Sequence, residues 1–93
     1  MAFEGRTTSR FDRELKQLFP RHPGLLRMYA AILPILQDDP YNRLCSHDIK
    51  KLISIPKGDA QYRIMSGHFR FRYEILEKVV LQKTCSLRRE DTY

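Results

Sequence analysis

The sequence predicts an α+β fold in which two N-terminal helices pack on one face of a small, mainly antiparallel sheet, in the order β-α-α-β-β-β. Two observations carry this expectation. From Gln61 onward, apolar and charged residues alternate with period two, the mark of half-buried strands. Between Phe11 and Leu36 the apolar residues instead recur three and four apart, as on one face of a helix. A run of helices followed by a run of strands is the arrangement of an α+β layer.

The size and charge set the outer limits. Ninety-three residues suit a single domain spanning 1–93 with one modest core. A hydrophobic content of 42%, with 11% aromatic residues, is enough to fold rather than remain disordered. Seventeen Lys and Arg against 11 Asp and Glu give a net charge of +6, which points to an anionic partner. No apolar run approaches the ~18 residues of a membrane span, and no hydrophobic signal core opens the chain. A cytoplasmic protein with no membrane partner is therefore expected. Two cysteines, Cys45 and Cys85, do not make a disulfide framework, and free thiols are the expected state.

Taken in order, Phe3 anchors a brief first strand. Thr7, Thr8 and Ser9 offer N-cap oxygens, with Asp12 placed for the first helical turn. Phe11, Leu15, Leu18 and Phe19 form the apolar stripe of the first helix, which stops before Pro20. The second helix is expected from about Pro23 to about Gln37, with Leu25, Leu26, Tyr29, Ile32, Leu33 and Leu36 on its apolar face. Pro34 inside it removes the hydrogen bond to Ala30 and predicts a bend or an end there. Asp48 to Leu52 reads equally as a helical turn or a strand edge. Pro56 to Asp59 is a turn signal leading into the sheet.

The strands suggest a register. Taking Ser66-Gly67 as a two-residue turn, with Gly67 at positive φ, sets Ile64 opposite Phe69, Arg63 opposite Arg70 and Tyr62 opposite Phe71. A three-residue loop of Leu76, Glu77 and Lys78 then pairs Ile75 with Val79 and Tyr73 with Leu81. That choice buries Val79, Leu81, Cys85 and Leu87 and turns Val80, Gln82, Thr84, Ser86 and Arg88 outward. A two-residue loop would bury Gln82, Thr84 and Ser86 instead, at greater cost. The three-residue loop brings Arg63, Arg70, Arg72 and Arg88 onto one polar face, with Arg89 and Tyr93 expected close by. Like charges directly opposite each other are destabilising, and a polyanion on that face would relieve them. Solvated arginine heads on well-packed stems are the plainer alternative.

The chemistry available is narrow. Cys45-x-His47 has no second pair at zinc spacing, so no metal or other cofactor is expected. No Gly-rich phosphate loop or nucleophile elbow is present. Arginine, lysine and tyrosine on one surface remain. Such a set can assist RNA cleavage by the 2′-OH, because fixed cations stabilise the pentacovalent phosphate and lower the pKa of a neighbouring phenol or ammonium.

The run Tyr62-Arg63-Ile64, a glycine turn, Phe69-Arg70-x-Arg72-Tyr73-Glu74-Ile75, Val79-Val80-Leu81 and Leu87-Arg88-Arg89-Glu90-Asp91-Thr92-Tyr93 resembles the RelE/ParE toxin superfamily of bacterial toxin–antitoxin systems. The resemblance spans nearly the whole chain and implies the fold above. It also implies two alternative activities, since RelE-like members are ribosome-dependent mRNA endonucleases and ParE-like members inhibit DNA gyrase. For the nuclease it implies a catalytic set of Arg63, Arg70, Arg88, Arg89 and Tyr93, where either Arg88 or Arg89 matches the family's C-terminal arginine. Lys50, Lys51, Lys57 and Arg72 are the expected RNA-binding residues. Many relatives carry a histidine where this chain has Ser86-Leu87, so a histidine base is missing. The implied partners are a cognate antitoxin, in a toxin–antitoxin hetero-oligomer, together with the ribosome and mRNA. A third alternative is an inactive relative kept as a partner-binding module.

Overall fold

The computed structural model describes residues 3–53, 55, 56 and 58–87. Its elements are β1 (Glu4–Thr7), α1 (Ser9–Leu18), α2 (Leu25–Asp38), β2 (Ile49–Lys51), β3 (Tyr62–Ser66), β4 (Phe69–Leu76) and β5 (Val79–Leu87). The strands form one sheet in the order β1-β5-β4-β3-β2. Only β1 runs parallel to its neighbour; the other pairs are antiparallel. The α+β expectation holds, with one strand more than the sequence predicted: the ambiguous stretch around Asp48 to Leu52 supplies β2.

Helix α1 begins where its cap predicts. The Thr8 hydroxyl accepts from the Phe11 amide at 3.1 Å, satisfying a donor that the first turn leaves open. The same hydroxyl donates to the Lys83 carbonyl at 3.3 Å, and the Thr8 amide donates to the Gln82 carbonyl at 3.0 Å. Thr8 therefore ties the helix start to β5 just past the end of β1. Glu14 continues the seal, with Oε1 accepting from the Cys85 amide at 2.9 Å. A side chain from α1 thus covers strand edge that β1 is too short to pair.

Helix α2 starts at Leu25, two residues later than expected, and runs through Pro34 to Asp38. The lost amide at Pro34 costs one hydrogen bond without ending the helix, because Ile32 and Leu36 on either side are buried in the core. At Gly5 on β1 a Cβ would stand 2.9 Å from Leu33 Cδ1, so the absence of a side chain is what lets α2 approach the sheet.

Both helices cover the same sheet face. Phe11, Leu25, Ile32 and Leu36 meet Ile64, Phe69, Phe71, Tyr73, Val80 and Cys85 in one core. Phe11, Tyr29 and Phe71 form a ring cluster with centroids 5.4–6.3 Å apart. Tyr62 stacks on Tyr73 at 5.7 Å, and the buried Tyr73 hydroxyl donates to the Pro40 carbonyl at 2.7 Å.

Two registers differ from the sequence reading. The β3–β4 turn is Gly67-His68, with Gly67 at φ 60, so Ser66 pairs with Phe69, Ile64 with Phe71 and Arg63 with Arg72. Glycine suits the first turn position, where φ must be positive. The pairing moves by two residues, so each side chain keeps its expected face. The β4–β5 turn is the pair Glu77-Lys78, with Leu76 opposite Val79 and Glu77 at φ 54. Val80 and Gln82 consequently point into the core and Leu81 points out, the reverse of the expectation. A bulge then resets the ladder: Tyr73 pairs with Gln82 but Arg72 pairs with Thr84, leaving Lys83 as the extra residue. Beyond it Cys85 faces the core as expected.

Gln82 is the cost of this arrangement. It is fully buried, and neither its Oε1 nor its Nε2 has a hydrogen-bond partner among the described residues. Gln82→Met, which keeps the length and removes both polar atoms, should raise the unfolding free energy by about 1–2 kcal/mol in urea titrations. A less stable variant would show that the amide is satisfied in solution. Phe71→Ala should cost about 3–5 kcal/mol, since the ring is fully buried between two other aromatic rings. A loss below 1 kcal/mol would place the ring outside the core.

Candidate functional site

The sheet face turned away from the helices carries a row of cations. Directly opposed residues share a face, so Lys50 on β2, Arg63 on β3, Arg72 on β4 and Thr84 on β5 stand side by side across the sheet. One row nearer the Gly67 turn lie Met65, Arg70 and Ser86. Arg70 and Arg72 are half-buried, with the Nε of each out of contact with solvent. Arg63 keeps only 15% of its side chain exposed; its Nη1 lies 3.1 Å from Asp48 Oδ1 and also donates to the Asp48 carbonyl at 3.3 Å. Asp48 thus offsets the like-charge pair of Arg63 and Arg72 at one end of the row.

The predicted site residues divide accordingly. Arg63, Arg70, Arg72 and Lys50 come together on one face. Lys51 pairs with Tyr62 and so belongs to the opposite face, where it is exposed at the sheet margin. Lys57, Arg88, Arg89 and Tyr93 lie outside the described residues.

A cleft of about 410 Å³ adjoins the row at Arg72 and Thr84. Arg10 at the start of α1 and Asp59 in the β2–β3 connection stand on its walls, and Leu81 and Ile55 supply apolar lining. Lys83, the bulged residue, braces it. Its ammonium lies 2.9 Å from Glu74 Oε1 and also donates to the Gly58 carbonyl, fastening the β2–β3 connection to β5. Gly58 has φ 97, a conformation that favours glycine. Sequence reading missed Arg10, Asp59 and Lys83. Thr84 was placed on the arginine face by its register, but a bulge and a contact between distant segments leave no periodic signal.

The described tyrosines of the core are set against proton transfer. Burial holds the Tyr73 hydroxyl well above its ordinary value, with the neighbouring Tyr62 adding to the effect, and burial also raises Tyr62 and Tyr29. All three pack on the helix-covered side. The Cys85 thiol is pushed up to about 12, first by burial and then by the Glu14 charge, so it is no nucleophile near neutral pH. Arg70, Arg72, Arg63 and Lys50 leave this face suited to holding and stabilising negative charge.

No protein-family model and no curated protein matches the chain by sequence. Solved structures match it in fold. The chain is similar to the archaeal RelE–RelB complex from Pyrococcus horikoshii, at 23% identity over 95% of this chain and 97% of that one, with a TM-score of 0.69. It matches a toxin–antitoxin complex from Mycobacterium tuberculosis at 20% identity over 95% of this chain and 100% of that one, TM-score 0.70. Against the E. coli DinJ–YafQ toxin–antitoxin complex the identity is 10%, with both chains fully covered and a TM-score of 0.74. The chain has the fold of RelE-like toxins.

The raised acids make a prediction about alkaline stability. In the fold Cys85, Tyr73, Tyr62 and Tyr29 hold their protons more tightly than in the unfolded chain. Unfolding therefore releases protons at high pH, and the stability these groups contribute is complete below the ordinary thiol value of 9.0. As pH rises from there through about 12, the unfolding free energy should fall by on the order of a few kcal/mol. Urea midpoints measured across that range check it. A flat profile would contradict the burial of these groups.

Proposed function

We propose that the chain is the toxin of a type II toxin–antitoxin system, acting in the cytoplasm as a ribosome-dependent mRNA endonuclease. The observation that carries this reading is the cross-sheet cation row of Lys50, Arg63 and Arg72, with Arg70 beside it, on the sheet face turned away from the helices of a RelE-like toxin fold. Three arginines share that face, two of them directly opposed with Asp48 beside one, and a face so rich in positive charge favours an anionic partner.

In this reading the RNA 2′-oxygen attacks the adjacent phosphorus and the 5′-oxygen leaves with a proton, giving a 2′,3′-cyclic phosphate and a free 5′-OH. The attack is intramolecular, so the protein needs only to position the strand and stabilise the pentacovalent phosphate. Arg70 and Arg63 hold that phosphate, joined by Arg88 or Arg89. Tyr93, which the family resemblance puts in the catalytic set, serves in proton transfer, since the described core tyrosines face the other way. Lys50 and Arg72 hold the flanking backbone, Lys57 adds to the basic connection, and Lys51 contributes only long-range charge. No cofactor enters the scheme.

The partner in this reading is a cognate antitoxin, as in the RelE–RelB and DinJ–YafQ complexes of the similar structures. An acidic, partly disordered segment would complement a chain of net charge +6 in a toxin–antitoxin hetero-oligomer.

Induction in a bacterium, with growth followed and mRNA 5′ ends mapped, tests the reading. Growth arrest with new cuts inside translated codons is expected. Arg70→Ala should reduce cutting by about 10²–10³-fold, the effect of losing one preorganised group from a transition state, while the far-ultraviolet circular dichroism stays unchanged. A fully toxic Arg70→Ala would overturn the site. Arrest without cuts, accompanied by a DNA-damage response, would assign the toxin to gyrase inhibition.

A further inference from the structure

One member of the cation row is held by a carboxylate, and that carboxylate is itself held in place. Asp48 stands just before β2, where its carbonyl accepts from the Met65 amide at 3.0 Å. That bond continues the β2–β3 ladder, so Asp48 falls in the row of Met65, Arg70 and Ser86. The connection leading to it is clamped. Asn42 Nδ2 donates to the His47 carbonyl at 2.9 Å, and the His47 amide donates to Asn42 Oδ1 at 3.2 Å. The Ile49 amide closes on the same His47 carbonyl at 2.9 Å. Asp48 therefore has fixed neighbours on both sides.

Both of its acceptors meet one nitrogen. Asp48 Oδ1 lies 3.1 Å from Arg63 Nη1, and the Asp48 carbonyl accepts from the same nitrogen at 3.3 Å. The identity of that nitrogen matters. A guanidinium can meet a phosphate side-on with the fork of Nε and Nη2, and Nη1 lies outside that fork. Among the described residues, Nη1 is the only Arg63 nitrogen with a hydrogen-bond partner. The contact thus restrains the guanidinium plane and leaves the fork unengaged. With 62% of the Asp48 side chain exposed, the ion pair adds little to stability, and orientation is its larger effect.

We propose that Asp48 is a positioning residue for Arg63, holding Nη1 so that Nε and Nη2 meet the reacting phosphate as a preorganised fork. The inference rests on the nuclease reading for the identity of that phosphate; the restraint of Arg63 stands apart from it. A fixed fork stabilises charge as it develops without first losing rotational freedom. The role requires an acceptor oxygen at residue 48, not a negative charge and not a proton acceptor. Two other roles predict different behaviour. A counter-ion that merely competes with phosphate would, once removed, tighten RNA binding and leave the maximal rate alone. A general base would make Asn as damaging as Ala, because an amide takes up no proton.

The test compares the full wild-type chain with Asp48→Ala and Asp48→Asn, each first shown to keep the wild-type far-ultraviolet circular dichroism. Single-turnover cutting of mRNA on ribosomes gives a maximal rate and a half-saturating toxin concentration. Asp48→Ala should lower the maximal rate about tenfold, with the half-saturating concentration unchanged or lower. Asp48→Asn, which keeps an acceptor oxygen, should stay within about threefold of wild type. An Asn variant as slow as Ala, an Ala variant with the wild-type rate, or a loss confined to the half-saturating concentration would each overturn the proposal. Nitrogen-15 signals of the Arg63 guanidinium separate it from the nuclease reading. Nη1 and Nη2 should be resolved in wild type and merge in Asp48→Ala, as rotation about Nε–Cζ is released. That result in a chain that cuts no mRNA keeps the positioning role and removes the nuclease. Merged signals in a wild type that cuts mRNA remove the positioning role and keep the nuclease.

Discussion

Strand β5 carries one residue more than β4 can pair, and the two faces of the sheet depend on where that residue sits. Before Lys83, the even-numbered Val80 and Gln82 face the helices; after it, the odd-numbered Cys85 does. A regular strand would have turned either Val80 or Cys85 into water. The bulge lets both ends of β5 serve the same core, and it also projects Lys83 toward the β2–β3 connection, where it anchors Gly58. Core and cleft therefore share one backbone irregularity. The buried, unpartnered Gln82 lies immediately before it, so the energetic cost and the geometric gain arise at neighbouring residues.

The sheet separates two kinds of chemistry. On the helix side, aromatic rings and raised acid groups make a dry, neutral core. On the other side, Arg63, Arg70, Arg72 and Lys50 stand over the same backbone with their charges together. The arginine side chains lie half-buried along the sheet, so one surface combines packing with positive charge. Asp48 beside Arg63 moderates the repulsion at one end, and Asp59 introduces a hydrogen-bond acceptor at the other.

Much of this was legible in the chain because period-two alternation is insensitive to a two-residue change of register. Phe71 and Tyr73 were read as buried and Arg70 and Arg72 as outward, although the turn is Gly67-His68 rather than Ser66-Gly67. The β5 register was not legible. Avoiding a buried Gln82 was a sound argument for a regular strand, and it failed because the strand is irregular. Strand β2 was hidden because three residues carry no period, and its pairing with β3 is decided by Ile49 entering the core. The cleft was invisible for a related reason: Arg10, Asp59 and Lys83 are far apart in sequence and line one cleft only in the folded chain. The C-terminal Arg88, Arg89 and Tyr93 lie outside the described residues, so their part in the site stands on the family resemblance.

The central claim is that the open sheet face, and not the helix-covered side, is where this protein meets RNA. The most direct measurement is an amide chemical-shift titration of the isotope-labelled chain with a short single-stranded RNA, repeated at two salt concentrations. The claim requires perturbations at Lys50, Arg63, Arg70, Arg72 and Thr84 that weaken steeply as salt rises. Perturbations concentrated on α1 and α2, or binding insensitive to salt, would contradict it.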